Sequence, residues 1–117
     1  MSGLSHGQSP QYFIDLFKLQ FTDNLVHRCV ARHPELAPGL SEAFEGMKRR
    51  NSAYFSAGDW ADIRRRNEEQ MVAEPERMEI IDELVTPRSC ASMRDELSPG
   101  GELDQHIANS FPKVHGP

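Results

Sequence analysis

Two apolar stripes run along the first long helix-like stretch of this chain. If residues 11–32 are helical, at about 100° per residue Phe13, Ile14, Phe17, Phe21, Leu25 and Cys29 share one sector of about 160°, while Tyr12, Leu16, Leu19, Val26 and Val30 share another almost opposite. One helix therefore has two surfaces to hide. Burying a large apolar side chain contributes roughly 1.5–3 kcal/mol, so the five residues of the second stripe represent about 7–15 kcal/mol, comparable with the whole net stability of a small domain. Such a face does not stay wet. The helix is either the centre of its own bundle, or it packs on the core with one side and on another chain with the other. We expect Tyr12, Leu16, Leu19, Val26 and Val30 to form the partner or dimer interface and the phenylalanine stripe to enter the core; the converse assignment satisfies the same pattern.

The 117 residues suffice for one core without staples, so a single domain over residues 9–111 is expected, with a flexible tail at 1–8 and a flexible end at 112–117. No run of 18 apolar residues occurs, and Met1-Ser2-Gly3-Leu4-Ser5-His6-Gly7 has neither a basic region nor an apolar stretch, which predicts a cytoplasmic protein. Cys29 and Cys90 show no repeated spacing and are read as two reduced, packed thiols rather than a disulfide framework. The net charge of −5 is unevenly spread: residues 1–66 carry nine Lys/Arg against seven Asp/Glu, residues 67–117 four against eleven. The two halves attract one another, either pairing helices within the fold or steering a basic partner to the acidic half.

Punctuation along the chain is helical. Ser9-Pro10 is a start signal, serine as N-cap and proline where the missing amide costs nothing. His33 precedes Pro34 and is biased out of the helical region, so the first helix stops near Arg32. A turn with one short helical piece follows to Gly39. A second helix from Leu40 or Ser41 carries Leu40, Ala43, Phe44 and Met47 on one face, continued by Tyr54 and Phe55. Gly58 reads as its stop and Asp59 as the opening of a third helix, headed by Trp60 and Ile63, that Glu74-Pro75 interrupts. A fourth helix holds Met78, Ile81, Leu84 and Val85 and ends at Thr86-Pro87. Beyond it Cys90, Met93 and Leu97 suit a short helix, Ser98-Pro99-Gly100-Gly101 a turn, and Leu103, Ile107 and Phe111 a last one. No stretch alternates with period two and no repeat occurs, so the architecture is all-α: four main helices in a small bundle plus short C-terminal ones.

Chemistry-bearing constellations are sparse. His27, Cys29 and His33 offer zinc-type ligands, but on a helix His27 points about 200° from Cys29, and no CxxC or HxxxH completes a set of four. No metal or cofactor is expected. Lys48-Arg49-Arg50 and Arg64-Arg65-Arg66 flank the junction of the second and third helices, where two basic clusters suit contact with a phosphate backbone. Against that, seven carboxylates between Glu68 and Glu83 follow at once, and Arg64–Glu68 and Arg65–Glu69 have the i, i+4 spacing of solvated ion pairs. Nucleic acid binding through Arg64, Arg65 and Arg66 is therefore the alternative reading. GxSxG, HExxH and a glycine-rich phosphate cradle are all missing, and the chain is not expected to be an enzyme.

Size, acidity, helical segmentation and the two-faced first helix, with its Phe13-Ile14-Asp15-Leu16-Phe17, make residues 9–85 resemble the small antiactivator proteins that sequester LuxR-type quorum-sensing transcription regulators. The resemblance implies a homodimer that binds a transcription factor and blocks that factor's dimerisation or DNA binding. It carries over no site residue. The reading is thus a cytoplasmic protein–protein interaction module, a regulatory inhibitor with a protein partner and no membrane contact.

Overall fold

A computed structural model describes residues 10–111, with side chains from Ile14 onward, and among these residues the regular structure is all helical, with no strand. Six α-helices follow in order: α1 (Pro10–Arg32), α2 (Ala37–Arg50), α3 (Ala57–Ala73), α4 (Pro75–Leu84), α5 (Pro87–Leu97) and α6 (Glu102–Ser110), with a single 3-10 turn (Pro34–Leu36) between α1 and α2. The tail expected at 1–8, the Ser9 cap and the end expected at 112–117 lie outside the described residues.

Prolines set most of the boundaries. His33, at φ −131° and ψ 71°, leaves the helix before Pro34 as steric conflict with the proline ring requires. The helix α2 begins earlier than expected, at Ala37, because Pro38 falls in the first turn, where no amide is needed. Val85 ends α4 and Thr86 caps α5: the Thr86 hydroxyl accepts from the Ser89 amide at 3.1 Å, and the Ser89 hydroxyl accepts from the Thr86 amide at 3.0 Å. The α2–α3 junction differs from the expectation. The helix α2 stops at Arg50, and the cap of α3 is Ser56, not Asp59; Asp59 is the third helical residue and completes a capping box, Asp59 N–H to Ser56 Oγ at 3.1 Å and Ser56 N–H to Asp59 Oδ2 at 2.8 Å. Gly58 therefore lies inside the first turn of α3 rather than closing α2.

The helix α1 packs against α2, α3 and α5, while α5 lies along α2. The core runs through Leu19, Leu40, Met47, Ile63, Cys90, Leu97 and Ile107, all nearly or wholly buried. An aromatic chain closes one end: Trp60 meets Phe44 and Phe55 edge-on at centroid distances of 5.3 and 5.1 Å, and Phe55 meets Phe111 at 5.2 Å. Leu103, Ile107 and Phe111 are buried at i, i+4 steps, so the short C-terminal helices belong to the core.

The cysteines are not the packed thiols expected. Cys29 and Cys90 are joined as a disulfide between α1 and α5, with Cα atoms 5.8 Å apart. Both are buried, so the expected environment holds and the expected redox state does not.

The charge asymmetry pairs helices. Arg28 grips Asp82 of α4 through two bonds of 2.7 and 2.6 Å, and Arg32 stands 3.5 Å from the same carboxylate. Arg50 holds Asp104 of α6 at 3.0 Å and the Leu97 carbonyl at 2.8 Å. The Arg28 hydrogen bonds, and its charge with that of Arg32, keep the Asp82 carboxyl below the ordinary range against the opposing push of burial. Burial pushes Asp104 up, but the Gly100 amide, Arg50 and Asn51 together outweigh it and the net displacement is downward. Depressed carboxyls stabilise the fold above their unfolded pKa and lose that contribution as pH falls through the folded value. Unfolding midpoints should therefore drop on acidification below the ordinary carboxylate range. Asp82→Asn should flatten that acid limb and cost about 1 kcal/mol at neutral pH, read by urea titration across pH; an unchanged limb would refute the assignment.

Candidate interaction surface

The rotation of α1 is the reverse of the expectation. Leu19 and Val26 are buried in the chain's own core at 0% and 3% exposure, and Leu16 and Val30 are half-buried against it. Leu19 and Val26 therefore have no surface to offer a partner. The side chain of Tyr12, like that of Phe13, lies outside the described residues. On the other stripe, Ile14 and Phe17 are 61% and 62% exposed and Phe21 37%, so Phe17 and Phe21, expected in the core, stand at the surface, while at the C-terminal end of the same stripe Cys29 is in the core as expected and Leu25 packs half-buried against it.

Polar residues beside the inward stripe give the physical reason. Asp15, Thr22, Asp23 and Asn24 are all buried; Thr22 donates to the Lys18 carbonyl of α1 itself at 2.8 Å, whereas Asp15, Asp23 and the Asn24 side-chain N–H meet groups on neighbouring helices. Asn67 of α3 donates to Asp23 Oδ2 at 2.9 Å and to the Gln20 carbonyl at 3.0 Å; Arg64 stands 3.3 Å from Asp23, and Asn24 donates to the Met78 sulfur at 3.8 Å. Asp15 lies 3.5 Å from His106 of α6, whose imidazole burial and the charge of Lys18 push down, although Asp15 and Glu102 pull it up. Turning α1 over would bury the phenylalanines but strand these groups.

The exposed stripe borders a shallow groove. Phe17, Phe21, Gln20, Gln70, Arg77 and Ile81 line a hollow of about 250 Å³ between α1 and the α3–α4 pair. On α4, Leu84 lies about 20° from Arg77 around the helix axis and Ile80 about 60°, so two more exposed apolar side chains continue from that rim. The result is an apolar band wider than one helix.

No protein-family model, curated protein or solved structure matches this chain. Its surface must be read from its own residues.

The basic clusters do not assemble into one patch. Arg64 turns inward to Asp23 and stands 3.7 Å from Glu68; Arg65 pairs with Asp62 at 3.6 Å and Glu69 at 3.4 Å, the Arg64–Glu68 and Arg65–Glu69 contacts being those expected from i, i+4 spacing. Lys48 pairs with Glu45 at 2.9 Å, and Arg50 is committed to Asp104. Among the described residues only Arg49 and Arg66 of the six keep no carboxylate partner. Since phosphate binding grows with the number of cations free to neutralise charge, the contact surface proposed for Arg64, Arg65 and Arg66 is largely spent on internal pairs. The His27–Cys29–His33 set is likewise divided: Cys29 is in the disulfide, His27 leans on Asp23 at 3.5 Å, and His33 lies 3.3 Å from the Val85 carbonyl.

Proposed function

We propose that this chain is a protein–protein interaction module that receives a partner helix on the Ile14–Phe17–Phe21 face of α1. The observation that carries the reading is the exposure of three large apolar side chains at i, i+3 and i+7, the spacing of a helix–helix seam, beside a groove where Phe17, Phe21 and Ile81 stand among amide side chains and Arg77. Covering them contributes on the order of 5 kcal/mol before the costs of association, enough for a moderate interface when the groove is engaged as well. The occupant we put forward first is α1 of a second copy, because a seam of this kind is self-complementary about a twofold axis.

Light scattering over a dilution series tests this. The wild type should pass from dimer to monomer on dilution, and Phe17→Asp should be monomeric throughout, with unchanged far-UV signal and, at dilutions where the wild type is also monomeric, the same melting temperature, since Phe17 is already exposed. A wild type that is monomeric at every concentration would remove self-association and leave the face to a different protein.

Within this reading, regulatory inhibition of a transcription factor is the finer proposal. It is supported by the acidic composition of residues 67–117, which suits a basic, DNA-binding partner. No helix among the described residues is long and apolar enough to cross a membrane. The Cys29–Cys90 bridge bears on location, because the cytoplasm keeps such pairs reduced. A cytoplasmic antiactivator would carry two thiols, whereas a bridged protein would act on a partner outside the reducing compartment; alkylation at cell lysis separates the two.

A further inference from the structure

The exposed side of α4 works against the stability of its own helix. Glu76, Glu79 and Glu83 stand at i, i+3 and i+7, all exposed, and like charges at such spacings repel one another along a helix. Glu76, in the first turn, suits the helix dipole, but Glu83 lies in the last turn beside its negative end, where no basic residue stands. Among the described residues no Lys, Arg or His nitrogen comes within ion-pair distance of these three, whereas Glu74 has Arg77 at 3.6 Å and Asp82 has Arg28 and Arg32. No contact within the fold accounts for the row as a whole.

An apolar row runs alongside it. At about 100° per residue Leu84, Ile80, Glu76, Glu83 and Glu79 follow one another around the axis within a sector of about 140°, with Ile80 63% exposed and Leu84 51%. Two aliphatic side chains held in water, with three unpaired carboxylates on their outer flank, are the complement of a helix that has a leucine stripe bordered by lysines or arginines. The same carboxylates repel a phosphate backbone and an anionic lipid surface, so the face suits a protein. The α1 seam differs in charge: Asp15 and Asp23, the two carboxylates of α1, are buried and engaged inside the fold.

We infer that the Ile80–Leu84 face of α4, with Glu76, Glu79 and Glu83, is the docking site for a basic amphipathic helix of another protein. The apolar stripe of that helix covers Ile80 and Leu84, and its cations meet the three carboxylates and relieve their mutual repulsion. The inference rests on the basic partner put forward above and gives that partner a place on the fold; it does not need the α1 seam. A polycation without an apolar stripe leaves Ile80 and Leu84 wet, and an acidic helix meets like charge.

Two dye-labelled synthetic helices with the same leucine stripe, one carrying lysines and the other glutamates at the remaining positions, are titrated against the full-length protein by fluorescence anisotropy. The lysine helix should bind saturably and the glutamate helix should not. Glu76→Gln/Glu79→Gln/Glu83→Gln should weaken the lysine helix by about tenfold, the effect of three rim pairs together, with the melting temperature unchanged or raised. Glu35→Gln/Glu42→Gln/Glu102→Gln removes the same charge from exposed residues elsewhere and should leave the affinity within about twofold. Ile80→Ser/Leu84→Ser should also weaken binding by about tenfold with the far-UV signal retained, since both side chains are already exposed. Phe17→Asp should bind like the wild type. The inference is overturned if the control variant weakens binding as much as the α4 variant, which makes net charge the whole cause, or if Ile80→Ser/Leu84→Ser leaves the affinity unaltered. Loss of binding in Phe17→Asp would move the helix to the α1 seam, overturning this site while the interaction reading stands. A lysine helix that binds no form of the protein would remove the basic partner as well.

Discussion

Reduction of the Cys29–Cys90 bridge should destabilise the protein by about 4 kcal/mol, the loop-closure entropy returned to a denatured chain whose cross-linked residues lie 61 apart in sequence. Against a net stability of about 5–15 kcal/mol, that loss moves the melting point by about 15–30 °C. It also has a signature in the denatured state. Freed of the cross-link, the unfolded chain exposes more surface, so urea titrations with and without reductant should differ in slope as well as midpoint, the reduced form being steeper. Cys29→Ala/Cys90→Ala should reproduce the reduced protein, with the loss of packed sulfur adding to the effect. Coincident titrations in the two redox states, or two free thiols in the denatured, unreduced protein, would show the bridge to be absent in solution.

That bridge was not legible in the sequence because it depends on α1 meeting α5, a tertiary contact between residues whose local surroundings are merely apolar. Local events were legible. His33-Pro34, Glu74-Pro75 and Thr86-Pro87 mark helix ends because a missing amide and a steric bar act within one or two residues. The α2–α3 junction misled because Gly58-Asp59 has the composition of a stop and a cap, whereas the reciprocal bonding of Ser56 with Asp59 claims both for the first turn of α3. The last two helices read weakly, being short and sparsely apolar, yet Leu97 and Ile107 are fully enclosed. Burial there comes from α5 packing on α2 and α6 packing on α5. The candidate surface was half legible: two stripes on α1 were evident, and so was the need to cover both. Which one faces inward turns on partners for Asp23 and Asn24 that lie more than 40 residues away, on α3 and α4.

The rotation of α1 yields the other large effect. Leu19→Asp removes a side chain with no exposed surface and places a carboxylate in the hydrophobic core, where water cannot reach it. The lost packing alone costs about 2–5 kcal/mol, and an unpaired buried charge, or the shift needed to neutralise it, adds several more, so together they rival the net stability of the domain. Leu19→Asp should therefore be largely unfolded at neutral pH, with its helical far-UV signal collapsed and no cooperative melt. Phe17→Asp, half a turn away on the same helix, should keep both. The contrast matters more than either variant. A helix turned the other way, with its phenylalanines inside, would give the opposite pair: a folded Leu19→Asp that has lost self-association and an unfolded Phe17→Asp. Far-UV signal and melting of these two proteins thus decide which stripe holds the fold together, and with it which stripe is free to meet another chain.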